Sequence, residues 1–280
     1  MCKPGRAGGC ASLEGWAVGL TCAMLLVERL YDLTWRRVRH LGGVVLLTRS
    51  ALARMVTPPF AVGEVVRQIE SMGVRSTSLA ATIALFSGAV LALQTAFTLE
   101  RFGAELFIAE MVGLALVREL GPVLTALMVG GRVGAGITAE LGTMSVSEQI
   151  DALRSLGADP VRKLVSPRVW ALVIGLPLLT MLADTTGVFG GMLVAMWELD
   201  LEPGFFMQRL LRRLEYGDLF SGLAKSVFFA VAIGVIAAYN GLRARGGADG
   251  VGRATTDTVV AIAITVLVID FFLTKAFLLL

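Results

Sequence analysis

The 280-residue sequence predicts an all-α, polytopic membrane protein. Three observations predict it. Apolar residues make up 56% of the chain and charged residues only 17%, where soluble proteins carry about 25% charge. Mean hydropathy is +0.76. Five stretches reach the roughly 20 mostly apolar residues that a helix needs to cross the hydrocarbon core. Other classes fall away on the same numbers. A net charge of +3, from 25 Lys+Arg against 22 Asp+Glu, is too small a surplus for a nucleic-acid binder. Cys2, Cys10 and Cys22 have no CxxC spacing, and His40 is the single histidine, so neither a disulfide framework nor a zinc site is expected.

Taken in order, residues 1–78 are expected not to span. The apolar run Trp16–Val27 is short and bracketed by Glu14 and Glu28. No small-residue cleavage site follows it, as a signal peptide would require. Arg36–Val56 mixes Arg36, Arg37, Arg39, Arg49 and Arg54 with Val44, Leu46, Leu47 and Leu52. That mixture suits a helix lying in the inner headgroup layer, or one packed on the bundle from the cytoplasm. The spans are expected at Leu79–Leu99, Leu106–Ala139, Val169–Trp197, Leu219–Tyr239 and Thr258–Leu280. The second exceeds the hydrocarbon thickness, and Pro122 within it removes a backbone donor. Basic residues fix the orientation. Seventeen Lys/Arg lie in 1–78, 141–168 and 241–256, against four in the alternate connections. The N-terminus is therefore expected in the cytoplasm and the C-terminus outside.

Between spans two and three, Ser145 and Glu148 have capping-box spacing, and Val146, Ile150, Leu153 and Leu156 recur at helical intervals. Gly157 offers a left-handed stop, and Asp159-Pro160 a new helix start. A short amphipathic helix results, packed on its own protein or lying in a partner's groove.

Ionisable residues at membrane depth are costly and mark candidate sites. They are Arg118, Glu119, Arg132, Asp184, Lys225, Asp270 and Lys275. Arg118 and Glu119 are neighbours, so their side chains diverge by about 100° and must find separate partners. With Gln94 of the first span, they are the candidate substrate-path residues, a structural ion pair being the other reading of Arg118 and Glu119. Lys225, near the outer end of its span, is expected to snorkel. Gly130/Gly134 and Gly187/Gly191 permit close helix approach, within a chain or between copies. Gly134-Ala-Gly136-Ile-Thr-Ala139 fits a dinucleotide fingerprint, but no strand precedes it and no sheet pattern follows. There is no GxxxxGK[ST], HExxH or GxSxG. No catalytic residue, metal site or cofactor site is expected in this chain.

Several segments together resemble the MlaE/YrbE permeases of MCE (mammalian cell entry) lipid-transport ABC systems. They are Arg118-Glu-Leu-Gly-Pro122, Gly131-Arg132, Thr138-Ala-Glu140, Glu148-Gln-Ile-Asp-Ala152, Asp159-Pro160, Ser166-Pro-Arg168, Asn240-Gly241 and Gly252-Arg-Ala-Thr-Thr256. The resemblance covers about residues 36–280. It implies an extension over 1–35, an interfacial helical segment over 36–78 and a five-span permease domain over 79–280. It further implies a homodimer in the bacterial inner membrane, moving lipid, with glycerophospholipid expected, and serving outer-membrane lipid asymmetry. The partners it implies are a cytoplasmic ABC ATPase dimer holding ATP and Mg²⁺, a periplasmic MCE-domain hexamer and, in some members, a STAS-domain protein. Under the resemblance, Glu148, Ile150, Asp151, Leu153 and Arg154 belong to the coupling helix that docks on the ATPase. Glu119 and Arg118 match residues near the lipid pocket. Asp184 and the basic, glycine-rich loop 243–252 depart from the best-known phospholipid-trafficking member. An ion-coupled secondary transporter of a hydrophobic substrate is the alternative, with Glu119, Asp184 or Asp270 binding the ion and no ATPase.

Overall fold

Five long helices make up most of the bundle. The computed structural model describes residues 42–43, 46–50 and 62–279, with no strand among them. Two compact units are present, Met1–Leu46 and Leu47–Leu280, and all five long helices belong to the second. They are α1 (Gly63–Glu100), α2 (Ile108–Val146), α4 (Val161–Leu199), α6 (Tyr216–Leu242) and α7 (Gly247–Phe277). Two short helices, α3 (Gln149–Ser155) and α5 (Pro203–Arg213), lie in connections. Among the described residues, the five long helices are long and apolar enough to cross a membrane, in agreement with the predicted class. The α2–α4 and α6–α7 connections share one end of the bundle, the α3 end. The α1–α2 and α4–α6 connections share the other, the α5 end.

The helices outrun the apolar stretches read from the sequence. α1, α2 and α4 hold 38, 39 and 39 residues, or about 57 Å at 1.5 Å per residue, against a hydrocarbon core of about 30 Å. Their ends must project or tilt. α1 starts at Gly63, so the boundary expected near residue 79 falls inside a continuous helix. Residues 1–35 and most of the interfacial segment Arg36–Val56 lie outside the described residues, although 46–50 are helical.

Small residues set the packing. Ser76, Ala80, Ala84, Gly88, Ala92 and Ala96 form a buried stripe at every fourth position of α1, lying along α4. There a Cβ on Gly88 would strike the Gly187 carbonyl, and one on Gly190 the Leu85 carbonyl. Lipid offers helices no hydrophobic reward for contact, so close van der Waals approach of backbones must supply the attraction. Gly130 and Gly134 of α2 receive Ile262 of α7 and Ile233 of α6 in the same way. Both GxxxG pairs are therefore filled within one chain and are not open faces for a second copy. Polar contacts add to this. Thr138 Oγ1 of α2 lies 3.0 Å from the Ala237 carbonyl of α6 and 3.1 Å from Thr258 Oγ1 of α7. Asn240 Nδ2 donates to Thr258 at 2.9 Å, tying three helices at membrane depth.

α2 carries two π turns, Leu116–Leu120 and Gly130–Gly134. The first ends at Gly121, whose N–H bonds the Leu116 carbonyl five residues back. Pro122 follows with no N–H to give, and the wider turn lets the helix continue past it. Such turns shift the facing of the residues they contain and recur at functional sites. At the α3 end the expected capping box is absent. α2 runs on through Val146, so Ser145 sits inside it with Oγ 3.3 Å from the Leu242 carbonyl. Glu148 instead adopts φ +60° ahead of α3, without a side-chain cap. The stop at Gly157 (φ +74°) is as expected. So is the Asp159 cap, which accepts from Val161 N–H at 3.0 Å and starts α4 itself rather than a separate helix.

Candidate functional site

The first π turn of α2 aims two adjacent charges at separate partners on α6, one of which is shared with α7. Arg118 Nε donates to Asp218 Oδ1 of α6 at 2.6 Å. Asp218 is held by its own backbone, its Oδ2 accepting the Glu215 N–H at 3.0 Å in a capping box that opens α6. Glu119 Oε2 accepts from Lys225 Nζ of α6 at 2.7 Å, and Thr274 Oγ1 of α7 lies 3.2 Å from both Glu119 oxygens. Lys225 is 1% exposed. It also donates to Thr274 Oγ1 at 2.7 Å and to the Arg118 carbonyl at 3.1 Å, and Asp270 lies 3.3 Å away. The Arg118 carbonyl is the one that Pro122, four residues on, cannot satisfy. Lys225 thus repairs the helix as it neutralises two carboxylates. Around the cluster opens a pocket of about 530 Å³ at the α5 end, lined also by Glu215, Ser221 and Phe277.

The structure brings Arg118 and Glu119 together with separate partners, as their divergence requires. Gln94 is exposed on α1 and outside this lining. Lys225 does not snorkel, because its ammonium is fully engaged inside the bundle. Sequence reasoning missed Thr274, which accepts from Lys225, Asp218, which holds Arg118, and Glu215, which shares the capping box with Asp218. Glu215 and Asp218 stand at capping-box spacing, a local signal for the α6 start, but nothing local points Asp218 at Arg118. Asp184 is buried on α4 beside Gly121, its Oδ1 without a hydrogen-bond partner.

At the opposite end, α3 presents a second feature. Ile150 is buried and Leu153 half-buried, while Glu148, Asp151, Arg154 and Leu156 are exposed. Asp151 and Arg154 pair along the helix at 2.9 Å. A groove of about 740 Å³ between α3 and the α6–α7 loop is lined by Asp151 and Arg154 on one side and by Arg243 and Arg245 on the other. Among the described residues, no cluster of His, Cys, Asp and Glu could hold a metal ion.

The sequence itself connects this arrangement to known proteins. The model of the family Permease MlaE matches residues 65–276. A probable ABC transporter permease protein of Rickettsia conorii is 42% identical over 244 residues, covering 87% of this chain and 94% of that protein. The intermembrane phospholipid transport system permease protein MlaE of Haemophilus influenzae is 40% identical over 210 residues, covering 75% and 80%. A probable ABC transporter permease protein of a Synechocystis species is 39% identical, covering 74% and 78%. With a match that begins at the start of α1 and ends beside Phe277, and so takes in nearly all of the charged pocket, the chain belongs to the MlaE permease family.

Proposed function

We propose that this chain is the membrane-spanning subunit of an ABC transporter that moves glycerophospholipid between the inner membrane and a periplasmic MCE protein. The observation that carries the reading is the charged pocket at the α5 end. It opens beside a helix, α7, whose Val260, Ile264, Leu267 and Phe271 are exposed. A lipid fits such a boundary, its polar head at Arg118 and Glu119 and its acyl chains along the apolar face. The Haemophilus relative, named for phospholipid transport, supports the cargo class. Arg154, Arg162, Lys163, Arg243, Arg245 and Arg253 gather at the α3 end, which by the positive-inside rule is cytoplasmic. The α5 end is then periplasmic and meets the MCE hexamer. Two copies assemble with two ATPase subunits, which hold ATP and Mg²⁺, with a STAS-domain protein in some systems. ATP-driven closure pushes on α3, and the movement passes through α2 to the pocket.

Two experiments test this. Glu119→Ala should lower lipid transfer in reconstituted vesicles by roughly tenfold, the scale of one lost charge-assisted hydrogen bond, while leaving complex assembly intact. Unchanged transfer removes Glu119 from the lipid path. Asp151→Lys with Arg154→Glu keeps the pair along α3 but reverses the charges it shows a partner. ATPase co-purification should fall to roughly a tenth, as like charges meet at the interface, and undiminished co-purification refutes the docking role. Lipid transfer that proceeds with no ATPase and follows an ion gradient would instead establish a secondary transporter.

A further inference from the structure

We infer that the pocket selects a zwitterionic head with a primary ammonium, of the phosphoethanolamine kind, over a bare anionic head. The inference rests on the lipid-carrying reading and adds the chemistry of the head. It follows from counting donors. An ammonium has three N–H donors, and Lys225 has already placed three, on the Arg118 carbonyl, Glu119 and Thr274. At 1% exposure it has nothing left for a phosphate. Arg118 is different. Its Nε and Nη2 are turned to Asp218, yet its side chain is 44% exposed and a guanidinium carries five N–H donors. One free edge therefore faces the pocket.

The remaining accessible charge is negative. Of the charged residues in the lining, Asp218 and Lys225 are buried, which leaves Glu119 and Glu215 open against the one accessible cation, Arg118. Arg213 reaches only Glu215, at 3.8 Å on the rim. The Glu119 side chain is 40% exposed. A head carrying only a phosphate meets one half-engaged arginine and a surplus of carboxylates. A head carrying phosphate and ammonium meets both of its complements, the free edge of Arg118 and the open side of Glu119. Quaternary ammonium groups are recognised by aromatic faces, and Phe277 is the lone aromatic side chain in the lining. A primary ammonium, which can donate to carboxylates, is the better match.

The test is competition on the purified, delipidated complex. Phosphatidylethanolamine, phosphatidylglycerol and phosphatidylcholine with identical acyl chains are offered at equal concentration, and retained lipid is counted by native mass spectrometry. Phosphatidylethanolamine should be retained about tenfold over phosphatidylglycerol, the effect of one well-placed charge pair. E119Q should abolish the preference, since it keeps the shape and an acceptor oxygen but removes the negative charge that an ammonium would pair with. E215Q, at the exposed start of α6 where the amide oxygen can still accept the backbone N–H of the capping box, should weaken the preference while the protein stays folded. Equal or greater retention of phosphatidylglycerol by the unaltered complex overturns the selectivity, as does an unaltered preference in both variants. Retention of none of the three lipids overturns the lipid-carrying reading itself. Retention of all three alike leaves that reading standing and removes only the head preference.

Discussion

Lys225→Met is expected to cost the protein about 3–5 kcal/mol of stability, the range for removing one partner of a buried ion pair, and to abolish transport. The variant fills nearly the same volume. What it removes is the single cation that Glu119 and Asp270 share and the donor that satisfies the Arg118 carbonyl. The Arg118 carbonyl and Asp270, 19% exposed, are then left short of a donor inside the bundle, where unmet polar groups are expensive, while Glu119, 40% exposed, loses its cation at the pocket wall. Thermal denaturation of the detergent-solubilised protein, followed by loss of the monodisperse peak, reads the effect. A second variant separates electrostatics from packing. Lys225→Met combined with Glu119→Gln and Asp270→Asn removes the stranded charges together, and most of the stability should return while transport stays lost. If the triple variant is no more stable than the single one, the damage comes from the shape of the socket and not from stranded charge.

That cluster also shows what could be read in advance. Arg118 and Glu119 were legible because charges are rare within long apolar stretches and each must be met by something. Their partners were not legible. Lys225 lies more than a hundred positions further on, and spacing along a helix says nothing about which other helix it faces. Its nearness to a span end pointed to snorkelling, an outcome that held only while no carboxylate was known to sit beside it. The five spans were legible because apolar composition is a sum over many residues. Their ends were not, since 63–78 contains Glu64, Arg67, Glu70 and Arg75 and charge marks the limit of the apolar stretch, not of the helix. Ser145 and Glu148 matched a capping-box pattern, but a cap forms only where a helix begins. Here the packing of α2 against the α6–α7 loop carries the helix beyond Ser145.

Gly190→Ala should remove well-folded protein from the membrane, while Gly136→Ala should not. The two substitutions add the same methyl group to the interior of a long helix. By intrinsic propensity alone each would stabilise the helix by about 1 kcal/mol. Gly136 is exposed, and a Cβ there meets nothing within 4 Å, so its variant should show that small gain. At Gly190 the added carbon overlaps the carbonyl of Leu85, and the obstacle is backbone, which no rotamer change can move aside. α1 and α4 must separate, which breaks the close approach along the stripe from Ala80 to Ala96. The cost of such overpacking is about 1–3 kcal/mol. It should fall at the upper end here, because two rigid helices pushed apart at one point lose their packing along the neighbouring turns as well. Gly190→Val should be worse still. Membrane-extracted yield in the monodisperse peak, compared across the three variants and the unaltered chain, decides it. Equal yields for Gly190→Ala and Gly136→Ala would mean that α1 and α4 do not cross at backbone contact. The small-residue stripe would then be free for another helix, including that of a second copy. If the yields separate as expected, that stripe is committed within the chain, and a second copy, under the proposed homodimer, would have to pack elsewhere.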